Sequence, residues 1–240
     1  MSVIPSSLSS TTQDPRESGS ALIDLAMLRG RSVYYRCKRC FDVVIAVLAL
    51  LLSSPLWLAI GLLIKLDSRG PVFFVNRAVG QYGEEFLLYK FRSMHPLQRP
   101  AIQRADLLNN LLHRTPTTCR DGKPIYKTAL ADDARITRAG RFLRACSLDE
   151  LPQLWNIVRG DLSFVGPRPS LPEEVALYNQ WQRQRLLVPQ GLSGLYQVTA
   201  RNRVPIEEMI RIDLEYIRTS SLWSDFRILC KTPSAMLSGM

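Results

Sequence analysis

Three hydrophobic patterns run along the chain, and each predicts a different element. From Val43 to Ile64 no charged residue interrupts the run, which as one straight helix would rise about 33 Å and match a bilayer's apolar core. Residues 71–95 read as two strands joined at Gly80–Gly83, a β-hairpin. Leu151, Leu154, Trp155 and Val158 recur at i, i+3, i+4 and i+7, the period of a short amphipathic helix that stops at Gly160. A helix is also predicted after the capping-box pattern Ser170-Leu-Pro172-Glu173, through about Arg185. Another follows Pro205, with Met209, Ile210, Leu214 and Ile217 inward and Asp213 near them. Leu222 to Leu229 is amphipathic enough to lie on a membrane or on the core. Residues 1–20 show no apolar period and read as a disordered tail, and 96–131 show none beyond Ala105–Leu112 and read as an insertion or mobile loop. No internal repeat is present. The pattern describes an α+β chain, predominantly helical: a tail over residues 1–30, a basic flank and membrane anchor over 31–69, and a folded domain over 70–240.

The apolar run admits two arrangements. A helix that crosses the bilayer is the simpler. Against it stands Ser53-Ser54-Pro55 at mid-run, where proline removes a backbone donor and kinks a helix. The flanks also argue against it. Arg29, Arg31, Arg36, Lys38 and Arg39 precede the run, with Tyr34 and Tyr35 suited to the interface, and Lys65, Arg69, Arg77, Lys90 and Arg92 follow it. A crossing helix concentrates its cations on one side, whereas balanced flanks suit a re-entrant helix-break-helix hairpin with both ends on one face. Ser54 and Pro55 mark the break, where serine hydroxyls can satisfy freed carbonyls. Pattern alone leaves the crossing helix open.

Charge narrows the partners. The 240 residues carry 31 Lys and Arg against 21 Asp and Glu, a net charge of +10 that suits a phosphate-rich ligand, an anionic lipid or nucleic acid. The absence of a basic strand with interleaved aromatics, or of a helix-turn-helix pattern, argues against nucleic acid. Cys37, Cys40, Cys119, Cys146 and Cys230 are odd in number and scattered, so they read as reduced thiols facing a cytosol. Cys37-x-x-Cys40 lacks a second pair or a histidine partner and reads as structural. With only His95 and His113, a histidine triad or metal cluster is disfavoured.

Candidate chemistry gathers after residue 131. Asp132-Asp133 suits a metal or a helix start equally. Arg135, Arg138, Arg141 and Arg144, spaced by three, predict a cationic stripe on one helical face that leads into Ser147-Leu148-Asp149-Glu150. Ser147 and Glu150 also match a capping box, which needs no chemistry. The two readings are compatible, because the free N–H groups at a helix start keep a carboxylate ionised and attract phosphate. Pro167 and Pro169 stiffen the turn around Arg168 and pre-position it for bidentate phosphate contact. Lys90 and Arg92 share one side of the second strand and can present two cations to phosphate, or simply face solvent. Gly191 to Arg203 reads as a Gly-rich turn, a short strand and a basic loop bearing Arg201.

Several ordered motifs together carry a resemblance. They are Lys38-Arg39-Cys-Phe41-Asp42, Ser54-Pro55, Pro71-Val-Phe-Phe, Tyr89-Lys90-Phe91-Arg92-Ser-Met94, Ser147-Leu-Asp149-Glu150-Leu-Pro-Gln-Leu, Gly160-Asp161-Leu-Ser-Phe-Val-Gly-Pro167-Arg168-Pro169 and Pro189-Gln-Gly191-Leu-Ser-Gly194. Over about residues 36–236 the chain resembles the bacterial sugar transferase family, the monotopic polyprenyl-phosphate phosphoglycosyl transferases. The resemblance implies a re-entrant anchor in the bacterial inner membrane with the catalytic domain, residues 70–240, on the cytoplasmic face. It implies transfer of a sugar 1-phosphate from a UDP-sugar to undecaprenyl (polyprenyl) phosphate, with release of UMP. That step would initiate exopolysaccharide, capsule, O-antigen or glycoprotein glycan assembly. The nucleophile falls on Asp149 and Mg²⁺ coordination on Glu150. Arg144 and Arg168 are then expected on phosphate oxygens, with Lys90, Arg92 and Arg201 as further substrate contacts. A covalent aspartyl intermediate and ping-pong order are expected, with direct transfer as the rival. The chain departs from the family at Leu195-Tyr196, at Thr199-Ala200 and in the 96–131 insertion, which leaves the sugar open. A non-catalytic, membrane-anchored binding protein for anionic lipid or nucleic acid is the competing class, and a homo-oligomer is neither required nor excluded.

Overall fold

A computed structural model describes residues 23–95, 118–120, 123–125, 135–200 and 203–237. The tail through residue 22, Asp132-Asp133, Arg201 and most of the 96–131 segment lie outside the described residues. Within that last segment two short antiparallel strands are described, β3 (Thr118–Arg120) and β4 (Lys123–Ile125). The end of the expected tail is ordered differently: Leu25–Gly30 forms helix α1, capped by the Asp24 carboxylate on Ala26 N–H, and Ile23 is buried.

The long apolar run lies inside α2, Ser32–Asp67, a helix long and apolar enough to cross a membrane. Helical structure continues through Pro55, so the expected break is a proline-containing turn of one helix rather than a gap between two. Proline leaves the carbonyl four residues back, that of Leu51, without its usual N–H donor. Ser54 Oγ donates to that carbonyl at 2.8 Å, which is the expected service of the serines, and Trp57 Nε1 donates to Ser53 Oγ at 3.1 Å. The middle of α2 faces outward, with Leu52 and Leu58 82% and 79% exposed, unlike a core helix.

Both ends of α2 are fastened to the same folded domain. Near its start, Lys38 pairs with Asp225 at 2.7 Å, the Arg39 guanidinium donates to the carbonyls of Ile157 and Val158, and Ala46 packs with Leu154, Ile157 and Leu162. Near its end, Ile60 and Ile64 pack with Phe91 and Leu143.

The hairpin forms as expected from β1 (Phe73–Val79) and β2 (Glu85–Phe91), with Phe74 opposite Lys90. Helix α3 (Arg138–Ala145) crosses the end of β2 closely, and a Cβ at Gly140 would lie 1.9 Å from the Ser93 carbonyl oxygen. A 3₁₀ turn, Leu148–Glu150, precedes α4 (Gln153–Arg159). Next come β5 (Ser163–Val165), α5 (Pro172–Ala176), α6 (Gln180–Arg183) and a 3₁₀ turn over Gln184–Leu187, so the single helix expected through Arg185 is broken. Asn179 makes the break by capping α6, its Oδ1 accepting from Gln182 N–H. Strand β6 (Gly191–Ser193) pairs in parallel with β5, and α7 (Leu195–Thr199), α8 (Ile206–Thr219) and α9 (Leu222–Leu237) complete the order. Gly191 is required where β6 meets the turn after β5, since a Cβ there would lie 2.1 Å from Gly166 N. The largest core cluster joins Val165, Trp181, Leu186 and Tyr196 to Ile210, Leu214, Ile217 and Ile228.

Candidate active site

The acidic pair sits in the 3₁₀ turn rather than in the first turn of a regular helix. Ser147, with φ 54° and ψ 21°, is left-handed and makes no capping bond through its side chain. The capping box read at Ser147 and Glu150 is therefore absent. A β-branched or bulky residue at this φ would be strained, and serine is a tolerable occupant. The reversal at Ser147 turns the chain out of α3 so that Asp149 points inward, 7% exposed, with Glu150 beside it.

Two cations meet this pair. Lys90 Nζ lies 2.6 Å from Glu150 Oε1. The register that delivers Lys90 depends on Asn156, which is fully buried in α4. Its Oδ1 accepts from Tyr89 N–H at 3.1 Å, and its Nδ2 donates to the Leu87 carbonyl at 2.7 Å and to Asp161 Oδ2 at 2.9 Å. Asn156 thus satisfies the open edge of β2 in the manner of a neighbouring strand. The second cation, Arg144, stands in the last turn of α3 and acts on the Asp149 charge, and its Nη1 is buried with no hydrogen-bond partner among the described residues. A buried guanidinium nitrogen left without an acceptor suits an anion not supplied by the chain.

Burial, and after it the Glu150 charge, push the Asp149 carboxyl up to about 6, against the lowering pull of Lys90 and Arg144. At pH 7 such a group is still about nine-tenths ionised and carries little water, a suitable state for a nucleophile. Among the described residues no cluster of three or more His, Cys, Asp or Glu side chains could hold a metal alone. A single carboxylate does fit a Mg²⁺ that keeps several waters and takes its remaining ligands from substrate phosphates. Glu150, beside Asp149, is the residue that would hold it.

The other expected contacts divide. Arg138 and Arg141 are exposed and Arg135 precedes the Thr137 cap of α3, so only Arg144 of the expected stripe reaches the site. Arg92 is 4% exposed, and its guanidinium donates to the carbonyls of Ile64 at 3.3 Å, Ser68 at 2.7 Å and Arg69 at 3.1 Å. It therefore caps the carboxyl end of α2, where a cation meets free carbonyls and the helix dipole. Arg168 lies in the turn between its two prolines, and its charge acts on buried Asp213 rather than appearing among the main influences on Asp149. Asp213 pairs with Arg185 at 2.6 Å, each 1% exposed. Arg185 carried no signal in the sequence, and Asp213 only that of an acid among inward apolar residues.

A buried carboxylate flanked by a second acid and two cations, at the foot of an exposed apolar helix, defines a site suited to anionic substrates at a membrane surface. The family model described as bacterial sugar transferase matches residues 33–239. The chain is 37% identical over 200 residues to an undecaprenyl-phosphate galactose phosphotransferase of Salmonella typhimurium, covering 83% of this chain and 40% of that protein. It is 39% identical over 203 residues to the exopolysaccharide production protein ExoY of Sinorhizobium fredii, covering 84% and 86%. It is 35% identical over 224 residues to a UDP-N-acetylgalactosamine-undecaprenyl-phosphate N-acetylgalactosaminephosphotransferase of Aeromonas hydrophila, covering 90% and 47%. The chain belongs to the bacterial sugar transferase family. It spans less than half the length of the Salmonella and Aeromonas relatives and most of the ExoY protein.

Proposed function

We propose that the protein transfers a sugar 1-phosphate from a UDP-sugar to undecaprenyl phosphate and releases UMP. The observation that carries this reading is Asp149, buried and largely ionised at neutral pH, set between Glu150, Lys90 and Arg144. The names of the Salmonella and Aeromonas relatives support the substrate classes.

A diphosphate repels an anionic attacker, so the site must neutralise charge and align the reactants. Arg144 and Arg168 bind phosphate oxygens, and Lys90 holds Glu150 in place while drawing down the Asp149 pKa. A carboxylate oxygen of Asp149 forms a bond to the sugar-bearing phosphorus, and the bond from that phosphorus to the bridging oxygen breaks. The bridging oxygen and its electron pair leave with UMP. In the second half, a phosphate oxygen of the polyprenyl acceptor bonds to the same phosphorus, and the Asp149 carboxylate is released unchanged. Mg²⁺ held by Glu150 would supply charge neutralisation of the diphosphate.

The anchor is re-entrant and the domain lies on the cytoplasmic face of the inner membrane. Support comes from α2 itself: its two flanks are held by one domain, while its middle is apolar, exposed and carries Pro55 within the helix. Contacts from both flanks to one domain favour an anchor whose two ends lie on the same face.

The test is conversion of labelled nucleotide sugars to lipid-extractable label by membranes bearing the protein, with Asp149→Asn as control. Conversion abolished by the substitution supports the reading, and no conversion across a panel of common nucleotide sugars sinks it. UMP release without acceptor, together with phosphosugar trapped on Asp149, supports the covalent route. UMP release that strictly requires acceptor favours direct transfer.

A further inference from the structure

We propose that Arg185 is a positioning residue that aims Arg168 at the substrate, acting through the Arg168 carbonyl and through the carboxylate of Asp213. This rests on the reading of Arg168 as a phosphate-binding side chain.

Arg185 is 1% exposed, yet four acceptors surround its guanidinium. Nη1 donates to Ser170 Oγ at 2.7 Å and to the Tyr178 hydroxyl at 2.9 Å, and Nη2 donates to the Arg168 carbonyl at 2.8 Å and to Asp213 Oδ2 at 2.6 Å. Its own backbone is held in turn, because Gln190 Nε2 donates to the Arg185 carbonyl at 3.0 Å. Replacing an ion pair buried this deeply by well-packed apolar residues often costs nothing, so fold stability is a weak rationale for it. Geometry supplies one. Arg185 grips residues 168 and 170, on both sides of Pro169, at the carbonyl of one and the hydroxyl of the other.

The rest of the turn is tied just as closely. Gly166 N–H donates to the Ser193 carbonyl at 2.9 Å, the Pro167 carbonyl accepts from Gly191 N–H at 2.8 Å, and the Ser170 carbonyl accepts from Val79 N–H at 2.8 Å. With the backbone held at residues 166, 167, 168 and 170, the conformational freedom left to this turn lies in the Arg168 side chain. Asp213 acts on that side chain. One of its oxygens is engaged by Arg185, the other is buried without a hydrogen-bond partner, and the Arg168 charge bears on it. The carboxylate therefore attracts the Arg168 guanidinium, and an incoming phosphate can compete for that charge.

The experiment is a double-mutant cycle in the full chain, reconstituted in lipid nanodiscs, with Arg168→Ala and Arg185→Lys made singly and together. The readouts are kcat and KM for UMP release from the UDP-sugar the enzyme accepts, and the melting temperature. Lysine keeps a charge opposite Asp213 but cannot reach all four acceptors. Arg168→Ala is expected to lower kcat/KM by about tenfold or more, the loss of one charge-assisted phosphate contact. Arg185→Lys is expected to lower it in the same direction, and the double variant to match Arg168→Ala alone, because a residue that acts through Arg168 has nothing to act on once it is gone. A merely structural Arg185 would instead multiply the two losses, and that result overturns the proposal, as does wild-type kcat/KM in a folded Arg185→Lys protein. If Arg185→Lys does not fold, Asp213→Asn takes its place in the cycle, with the same equality supporting the proposal and a multiplied loss overturning it. Wild-type kinetics in Arg168→Ala would instead remove the phosphate-binding reading of Arg168 beneath it, while leaving Asp149-dependent transfer intact.

Discussion

Asp149→Asn is expected to make the protein inactive and more stable. Burial and the Glu150 charge hold the wild-type carboxyl at about 6 against an ordinary 3.8. Keeping it ionised in the folded protein at pH 7 therefore costs about 3 kcal/mol, in the absence of substrate and metal. Asparagine has the same shape without the charge. It still buries an amide whose hydrogen bonds are incompletely met, so a net gain of about 2 kcal/mol is expected. For a chain of this size that is a rise in melting temperature of about 4–8 °C. The sign of the pH dependence follows from the direction of the shift. A carboxyl raised in the folded state takes up its proton there before the unfolded chain does, so as pH falls through 6 toward 4 wild type gains stability that the variant does not. The gap between the two is widest near pH 7 and closes toward pH 4, and groups common to both cancel. Melting in nanodiscs, followed by the fluorescence of the four tryptophans, measures it. Added Mg²⁺ should narrow the gap at pH 7, since the ionised carboxylate gains a partner that asparagine lacks. A variant that melts at or below wild type at pH 7, or a gap indifferent to pH, would refute the reasoning.

Four further outcomes are expected. Lys90→Met removes a charge that lowers the Asp149 pKa, so the acidic limb of the pH profile for UMP release should move above about 6; an unmoved or lowered limb contradicts this. Arg144→Met should lower kcat/KM for the UDP-sugar by about tenfold to a hundredfold, as a buried donor awaiting phosphate is lost, with the melting temperature little changed. Arg92→Met should do the reverse: by stripping the carbonyls at the end of α2 of a charged donor it should cost about 2–3 kcal/mol in stability and leave KM for the UDP-sugar unaltered in the protein that folds. For the anchor, a membrane-impermeant maleimide should label both native Cys40 and a Gly70→Cys variant in inside-out vesicles and neither in intact spheroplasts; labelling of one from each side would establish a crossing helix.

The sequence made local features legible and hid the ones that depend on distant partners. The hairpin, the helix that stops at Gly160 and the Ser54 hydroxyl serving the carbonyl freed by Pro55 all arise from residues within a few positions of each other. The basic flanks of the apolar run looked like charges facing lipid and water. Arg31 and Arg39 in fact donate to carbonyls at the ends of α8 and α4, and Arg92 to those at the end of α2. Lys38 pairs with a residue 187 positions away. Counting cations along the chain could not separate those that sense the membrane from those that fasten its anchor. At the site, spacing of three predicted four arginines on one face, but the Thr137 cap fixes where the helix begins, and only Arg144 is carried to Asp149. The partnership of Arg185 with Asp213 spans 28 residues and has no local signature.

The site is electrostatically unfinished, and this connects its parts. Asp149 and Glu150 are balanced by Lys90 and Arg144, so the four charges cancel before any substrate arrives. A diphosphate then brings negative charge into a place already poor in water, where an uncompensated anion is most costly. Arg168, with its carbonyl held by Arg185 and its charge acting on Asp213, is a cation the turn could offer without refolding. A divalent metal held by Glu150 would supply the remainder. Burial, and after it the Glu150 charge, raises the Asp149 pKa in the free protein, and a metal entering with the diphosphate would lower it again, so that the carboxylate would be more fully ionised when it must attack.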